Sequence, residues 1–244
     1  MRLKTRRIFT VLAMLGLAAA WVFISPHSYD TIFTQVENTG AEAGINYEAE
    51  AISETNPDAP LASEILEKLE VKGRAPKTGY SREQFYDGWP NVDGCSLRHR
   101  ILKRELGESA VLDGCYVVGG EYAEPYTGEY RVLTNKEDVA KIQIDHVVAL
   151  SDAWQKGAQY KDYEVRNKIA TDPLNLLAVD GPANEQKSDG DAATWLPKNK
   201  KFRCQYVARQ VSVKYKYGLW VTEAERQAIS RILENCPNEP AIGV

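Results

Sequence analysis

No two of the four cysteines in this 244-residue chain stand in a CxxC pair. Zinc centres usually draw their ligands from such close pairs, so Cys95, Cys115, Cys204 and Cys236 argue against a cysteine-held metal. GxSxG, HExxH and any Cys-His arrangement suited to an activated nucleophile are also missing, which sets aside peptidoglycan and protein hydrolysis. There is no internal repeat and no low-complexity tract. An excess of positive charge is lacking too: the formal net charge is -4, so any attraction to nucleic acid has to come from how the charges are distributed. With 43% hydrophobic and 26% charged residues, the composition is that of a soluble globular protein with one core and tails.

What is present begins with an export signal. Arg2, Lys4, Arg6 and Arg7 precede an apolar run from Ile8 to Ile24. Ala18-Ala19-Ala20 offers a small-residue cleavage site, while Trp21-Val22-Phe23-Ile24 prolongs the run towards a membrane span. Residues 1–27 therefore read as a signal peptide or as a retained membrane anchor, and the chain as secreted or held at the outer face of the cell membrane. In such an oxidising compartment an even number of cysteines implies disulfides. Three connectivities are open, and the sequence-local one pairs Cys95 with Cys115 and Cys204 with Cys236.

Residues 28–79 are acidic and rich in small residues, and read as a linker containing one short amphipathic helix marked by Leu61, Ile65, Leu66 and Leu69. The folded domain is expected over 80–238, with a C-terminal tail from 239 to 244. Inside it, Ser96 to Leu106 has helical spacing and a basic surface, on which His99 lies between Arg98 and Arg100; it reads as an exposed helix face, with a phosphate contact by His99 as the alternative. Cys115 to Val118 and Tyr130 to Leu133 read as a hairpin around Pro125-Tyr126-Thr127-Gly128. Ile142 and Ile144 lead into Asp145-His146 at a strand end. Helices are expected over Tyr160 to Ala170, over Asn199 to Tyr217, and after Thr222, whose spacing to Glu225 is that of a capping box. The fold class is α+β.

The chemistry concentrates in two segments. Hydrolysis of a phosphodiester needs a base for water and a cation to neutralise growing charge. Asp145 and His146 supply a carboxylate and an imidazole, and an imidazole with its ordinary pKa of about 6.5 is largely neutral at physiological pH. The second segment is DPLNLLAVDGPANEQKSD, carrying Asn175, Asn184 and Lys187. Asn175 alone reads as a strand-end residue, Asn184 as a helix cap, and Lys187 as a solvated lysine or a contact to the scissile phosphate.

Taken together, IDHVVALSDAW, DPLNLLAVDGPANEQKSD and the following TWLP resemble the HNH, or ββα-metal, nucleases in their HNN variant, and more narrowly the exported relatives of the C-terminal nuclease part of GmrSD restriction enzymes. The resemblance runs from about Tyr80 to Cys236. It implies a ββα-metal core with a small antiparallel sheet, His146 as general base, Asp145 and Asn184 as ligands of a divalent metal, and Asn175 as the residue orienting the histidine-bearing loop. Asparagine in place of a last histidine favours a hard ion such as magnesium, with manganese or calcium as substitutes. No small-molecule cofactor is expected.

Lys198, Lys200, Lys201, Arg203, Arg209, Lys214 and Lys216 form a basic stretch, and no acidic residue occurs between Leu196 and Val221. The stretch suits contacts to a DNA or RNA backbone without sequence specificity, and reads equally as a solvated helix face. The alternative to a nuclease is an exported nucleic-acid-binding or cell-envelope module that keeps the fold without catalysis.

Overall fold

The structure, a computed structural model, describes residues 59–243. The expected export segment and most of the expected linker lie outside these residues. Among the described residues no helix is long and apolar enough to cross a membrane.

Mixed helices and small antiparallel sheets make an α+β body. Its elements are α1 (Ala62–Lys68), β1 (Asn91–Val92), β2 (Cys95–Ser96), α2 (Leu97–Leu106), β3 (Val111–Asp113), β4 (Tyr116–Ala123), β5 (Tyr130–Leu133), α3 (Lys136–Ala140), β6 (Ile142–His146), α4 (Leu150–Gln155), α5 (Tyr163–Thr171), β7 (Leu176–Asp180), α6 (Gly181–Lys187), α7 (Arg203–Lys216) and α8 (Glu223–Leu233). Strands β3, β4 and β5 form one antiparallel sheet, and β6 and β7 form another.

The β6–β7 pair lies between two parts of the core because side chains alternate across a strand. Ile142, Ile144, Leu176 and Ala178 pack with Leu97, Ile101 and Leu102 of α2. Leu177 and Val179, on the opposite face, pack with Tyr206, Val207 and Val211 of α7. A one-residue slip would exchange these sets, so the register Ile142↔Asp180 to His146↔Leu176 is fixed by both neighbours. A third cluster, built on Phe85, Tyr86, Trp154 and Ile169, covers the end of the pair where His146 stands.

The helix expected within the linker is α1, and it packs into the body. Ile65, Leu66 and Leu69 join the α7 and α8 cluster. Residues beyond 238 do the same: Ala62 N donates to Glu239 O at 2.9 Å, Ala241 N donates to Pro60 O at 2.8 Å, and Ala241 is buried. Chain segments on either side of the expected boundaries thus close on each other.

A layer of charge is buried among α4, α7 and α8. Lys156 Nζ lies 2.6 Å from Asp152, 2.8 Å from Asp191 and 2.6 Å from Glu225, and all four side chains are buried. Lys214 Nζ adds contacts to Asp152 at 3.1 Å and Glu225 at 2.8 Å. Arg74 reaches Asp191 and Asp152 from the surface. Three cations thus meet three carboxylates. Glu225 does two jobs, because the expected capping box with Thr222 is also present. Arg209 and Lys214, expected on the basic stretch, are buried by α7, which turns them inward. Arg209 donates to Leu174 O at 3.2 Å, and burial brings its pKa down to about 10.

Cys204 and Cys236 form a disulfide that joins α7 to the chain beyond α8. Cys95 and Cys115 are free thiols, which corrects the expectation of a second bridge. Cys115 Sγ donates to Gly94 O at 3.8 Å, and the neighbouring Cys115 raises the pKa of the Cys95 thiol. Neighbourhood in space is met at this pair without the covalent bond.

Glu225→Ala leaves two buried lysines short of a counter-charge, so urea denaturation is expected to register a loss of about 3 to 5 kcal/mol, and a loss below about 1 kcal/mol would contradict the network's structural role. Burial pushes the Asp191 carboxyl up, but Lys156, Arg74 and Lys214 outweigh it and hold it at about 2. Since its unfolded value is about 3.9, the stability it contributes is full above that pH and is lost as pH falls towards 2. Urea midpoints between pH 6 and pH 2 should drop in that window, and drop less in Asp191→Asn.

Candidate active site

Strand β6 ends on His146, and alternation sends it to the face opposite Asp145. His146 is buried, and its ring stacks on Trp89 at 5.7 Å between centroids and lies 5.8 Å from the ring of Tyr86. Nε2 is 2.9 Å from Ala170 O. A carbonyl only accepts, so Nε2 carries the hydrogen and Nδ1 of the neutral ring keeps its lone pair. Burial, with smaller contributions from Arg82 and Lys187, lowers the imidazole's pKa to about 3. The ring is therefore neutral with a fixed tautomer.

Asn175 braces the loop after His146. It is fully buried; Oδ1 accepts from Val148 N at 2.8 Å, and Nδ2 donates to Ile169 O at 2.9 Å and to Val148 O at 3.3 Å. Its backbone O accepts from Val147 N at 2.8 Å. These bonds tie the loop to α5, the helix that supplies Ala170 O.

On the other face of β6, Gln143 and Asp145 look onto α6. Asp180 caps that helix, accepting from Ala183 N at 3.1 Å, and Pro182 sits in its first turn. Asn184 and Lys187, three residues apart, share one side of α6. Asn184 Nδ2 donates to Gln143 Oε1 at 2.8 Å. Lys187 Nζ donates to Asp145 Oδ1 and to His146 O, both at 2.9 Å, and is buried, so the expectation of a lysine reaching the scissile phosphate is corrected. The hydroxyl of Tyr126 donates to Asp145 Oδ2. Buried Glu124 holds Tyr126 there by accepting from Tyr126 N and Asp180 N, each at 3.0 Å. Burial raises the pKa of Asp145 even against Lys187 and Tyr126.

Donor chemistry decides whether Asp145 and Asn184 suit a divalent ion. A carboxylate has about four lone-pair directions, of which Lys187 and Tyr126 take two, and Asn184 Oδ1 accepts no hydrogen bond among the described residues. A carboxylate oxygen on β6 and an amide oxygen on α6 are hard donors, the chemical kind that an ion such as magnesium takes. The Lys187 ammonium is a resident cation beside them. Cys204, Cys236 and Glu239 also lie close together, but the disulfide removes the two sulfurs as ligands.

A family model described as GmrSD restriction endonucleases, C-terminal domain, matches residues 103–232. The chain belongs to this family. The GmrSD C-terminal match takes in Asp145, His146, Asn175 and Asn184, and stops short of Tyr86 and Trp89, which wall the histidine. An "uncharacterized secreted protein" of Arthroderma benhamiae is 35% identical over 184 residues, covering 74% of this chain and 87% of that relative. No solved structure matches the chain.

Of the other sequence-derived residues, Lys198, Lys200 and Lys201 are exposed, and Arg203 is half-buried with Nε donating to Pro197 O at 2.8 Å. His99 is half-buried, and its Nδ1 accepts from Val117 N at 3.0 Å, joining α2 to β4. Its Nδ1 is thus taken up inside the fold, which corrects the reading of a fully exposed helix face. Tyr126, Tyr86, Trp89 and the Ala170 carbonyl escaped sequence reasoning because each reaches the motif across a distant loop or helix.

Asn175→Ala leaves Val148 N and Ile169 O without their buried partners, so it should cost about 1 to 3 kcal/mol and free the loop after His146. Hydrogen exchange of the Val148 amide measures both effects, and an unchanged rate in the variant would remove Asn175 from its bracing role.

Proposed function

We propose that this chain is an exported, metal-dependent endonuclease of the HNH, ββα-metal type. It hydrolyses phosphodiester bonds of DNA with low sequence specificity, and RNA is the second substrate to test. The observation that carries the reading is the β6–β7–α6 unit, with a neutral, tautomer-fixed His146 at its strand end, Asp145 on the opposite face of that strand, and Asn184 on the helix packed against that face through Gln143. Membership of the GmrSD C-terminal family supports a nuclease. Export is supported by the basic and apolar N-terminus, the disulfide, and a relative named as secreted.

In this reading Nδ1 of His146 takes the proton of the attacking water while Ala170 O keeps the ring in place. A pKa of about 3 makes the free imidazole a weak base. An anionic phosphate beside it favours the protonated form and raises its basicity when substrate is bound. Asn175 holds the loop that follows. Asp145 and Asn184 would hold the ion, magnesium first and manganese or calcium as substitutes, which supplies Lewis-acid polarisation of a phosphate oxygen. Exposed Lys198, Lys200 and Lys201, with Arg203, form the reduced basic track for the nucleic-acid backbone. The second reading, a non-catalytic exported module, draws on the closure of Asp145 by Lys187 and Tyr126.

Plasmid cleavage with magnesium separates the two. His146→Ala should lose on the order of a hundred- to ten-thousand-fold in rate and still bind metal by calorimetry, whereas Asp145→Ala and Asn184→Ala should bind metal more weakly. A His146→Ala protein that cleaves like the wild type would end the nuclease assignment of this site. For the track, Lys198, Lys200 and Lys201 replaced together by Ala should flatten the dependence of log affinity on log salt, by about 0.9 for each phosphate left unneutralised on duplex DNA. An unchanged slope identifies them as a solvated surface.

A further inference from the structure

We propose that Arg82 holds a phosphate oxygen of the substrate beside His146, an inference that rests on the nuclease reading. Arg82 opens a single helical turn, Arg82–Gln84, in the segment before the family match. Its Nε and Nη2 donate to the hydroxyl of Tyr86 at 2.9 and 2.7 Å, and its guanidinium carbon lies 5.3 Å from the centre of the Tyr86 ring. Tyr86 is in turn in contact with the ring of His146, at 5.8 Å between centroids. The guanidinium is thus held along one edge by a residue that also walls the proposed base.

The other arginines around the site are committed elsewhere. Arg98 donates to the carbonyls of Val139 and Ile142, and Arg104 to Glu105 and to the carbonyls of Pro173 and Leu176. Arg166 donates to Gln84 O. Arg82 alone of these four is exposed, pairs with no carboxylate among the described residues, and donates nothing from Nη1. A guanidinium is always charged and offers a planar fork that matches phosphate oxygens, so a positioned and unneutralised one suits the charge that develops on phosphorus-bound oxygens. Tyr86 is a positioning residue: its hydroxyl sets the plane of the fork, and its ring fixes the distance to His146.

The test uses the exported chain in wild-type, Arg82→Ala, Arg82→Lys and Tyr86→Phe forms, on a duplex oligonucleotide with magnesium, with His146→Ala as control. Arg82→Ala should lower kcat by about 10²- to 10³-fold at nearly constant KM and unchanged Tm, with Arg82→Lys recovering part of the loss and Tyr86→Phe falling between. Binding of thymidine 3′,5′-bisphosphate, followed by calorimetry without turnover, should weaken about tenfold or more in Arg82→Ala. A kcat within about threefold of wild type in folded Arg82→Ala overturns the proposal while the nuclease reading stands. A wild type that cleaves neither DNA nor RNA, yet binds the bisphosphate through Arg82, overturns the nuclease reading and keeps the anion site. Equal bisphosphate binding by wild type and Arg82→Ala removes the site.

Discussion

Everything around the site leans on charges that have been taken out of water in matched sets. Lys156 and Lys214 are fully buried, and they are tolerable there only because Asp152, Asp191 and Glu225 surround them with Arg74 at the rim. Each ion is costly to desolvate, so the cluster constrains geometry more surely than it adds stability. It joins α4, which follows the histidine loop, to the chain after α6, to α7 and to α8. The same logic repeats on a smaller scale at Lys187 and Asp145, where the ammonium links α6 to the strand that carries His146.

The β6–β7 pair divides the labour between two faces. One face delivers an imidazole into an aromatic and carbonyl-lined setting, which keeps it neutral. The other delivers a carboxylate that Lys187 of α6 and Tyr126 hold. Neighbouring residues can serve such different roles because a strand inverts its side chains at every step. The chain leaves the strand right after His146, and Asn175 takes up the polar groups that this exit exposes.

Much of this was legible in the sequence where the signal is local. The spacing of Leu97, Ile101, Leu102 and Leu106 marks α2, the Thr222 and Glu225 pair marks the start of α8, and the hairpin around Pro125 to Gly128 follows turn chemistry. The site segments stood out through their order along the chain. Partners that reach across the fold did not stand out: Tyr126 on Asp145 and Trp89 on His146 have no spacing that announces them. Charge was misjudged for a related reason. Lys187, Arg209 and Lys214 look like surface cations in a sequence, and only the position of carboxylates and carbonyls on other elements decides that they are buried. The second disulfide was inferred from proximity along the chain, and proximity is what the structure retains, with both thiols free.

The site turns on a neutral imidazole with its proton fixed on Nε2 at the end of β6. Nitrogen-15 NMR of the His146 ring between pH 5 and pH 8 measures that state directly. The expected result is the neutral Nε2–H tautomer across the whole range, because burial holds the pKa at about 3 and Ala170 O accepts from Nε2. An imidazolium that titrates near its ordinary value of about 6.5, or a proton on Nδ1, would contradict it.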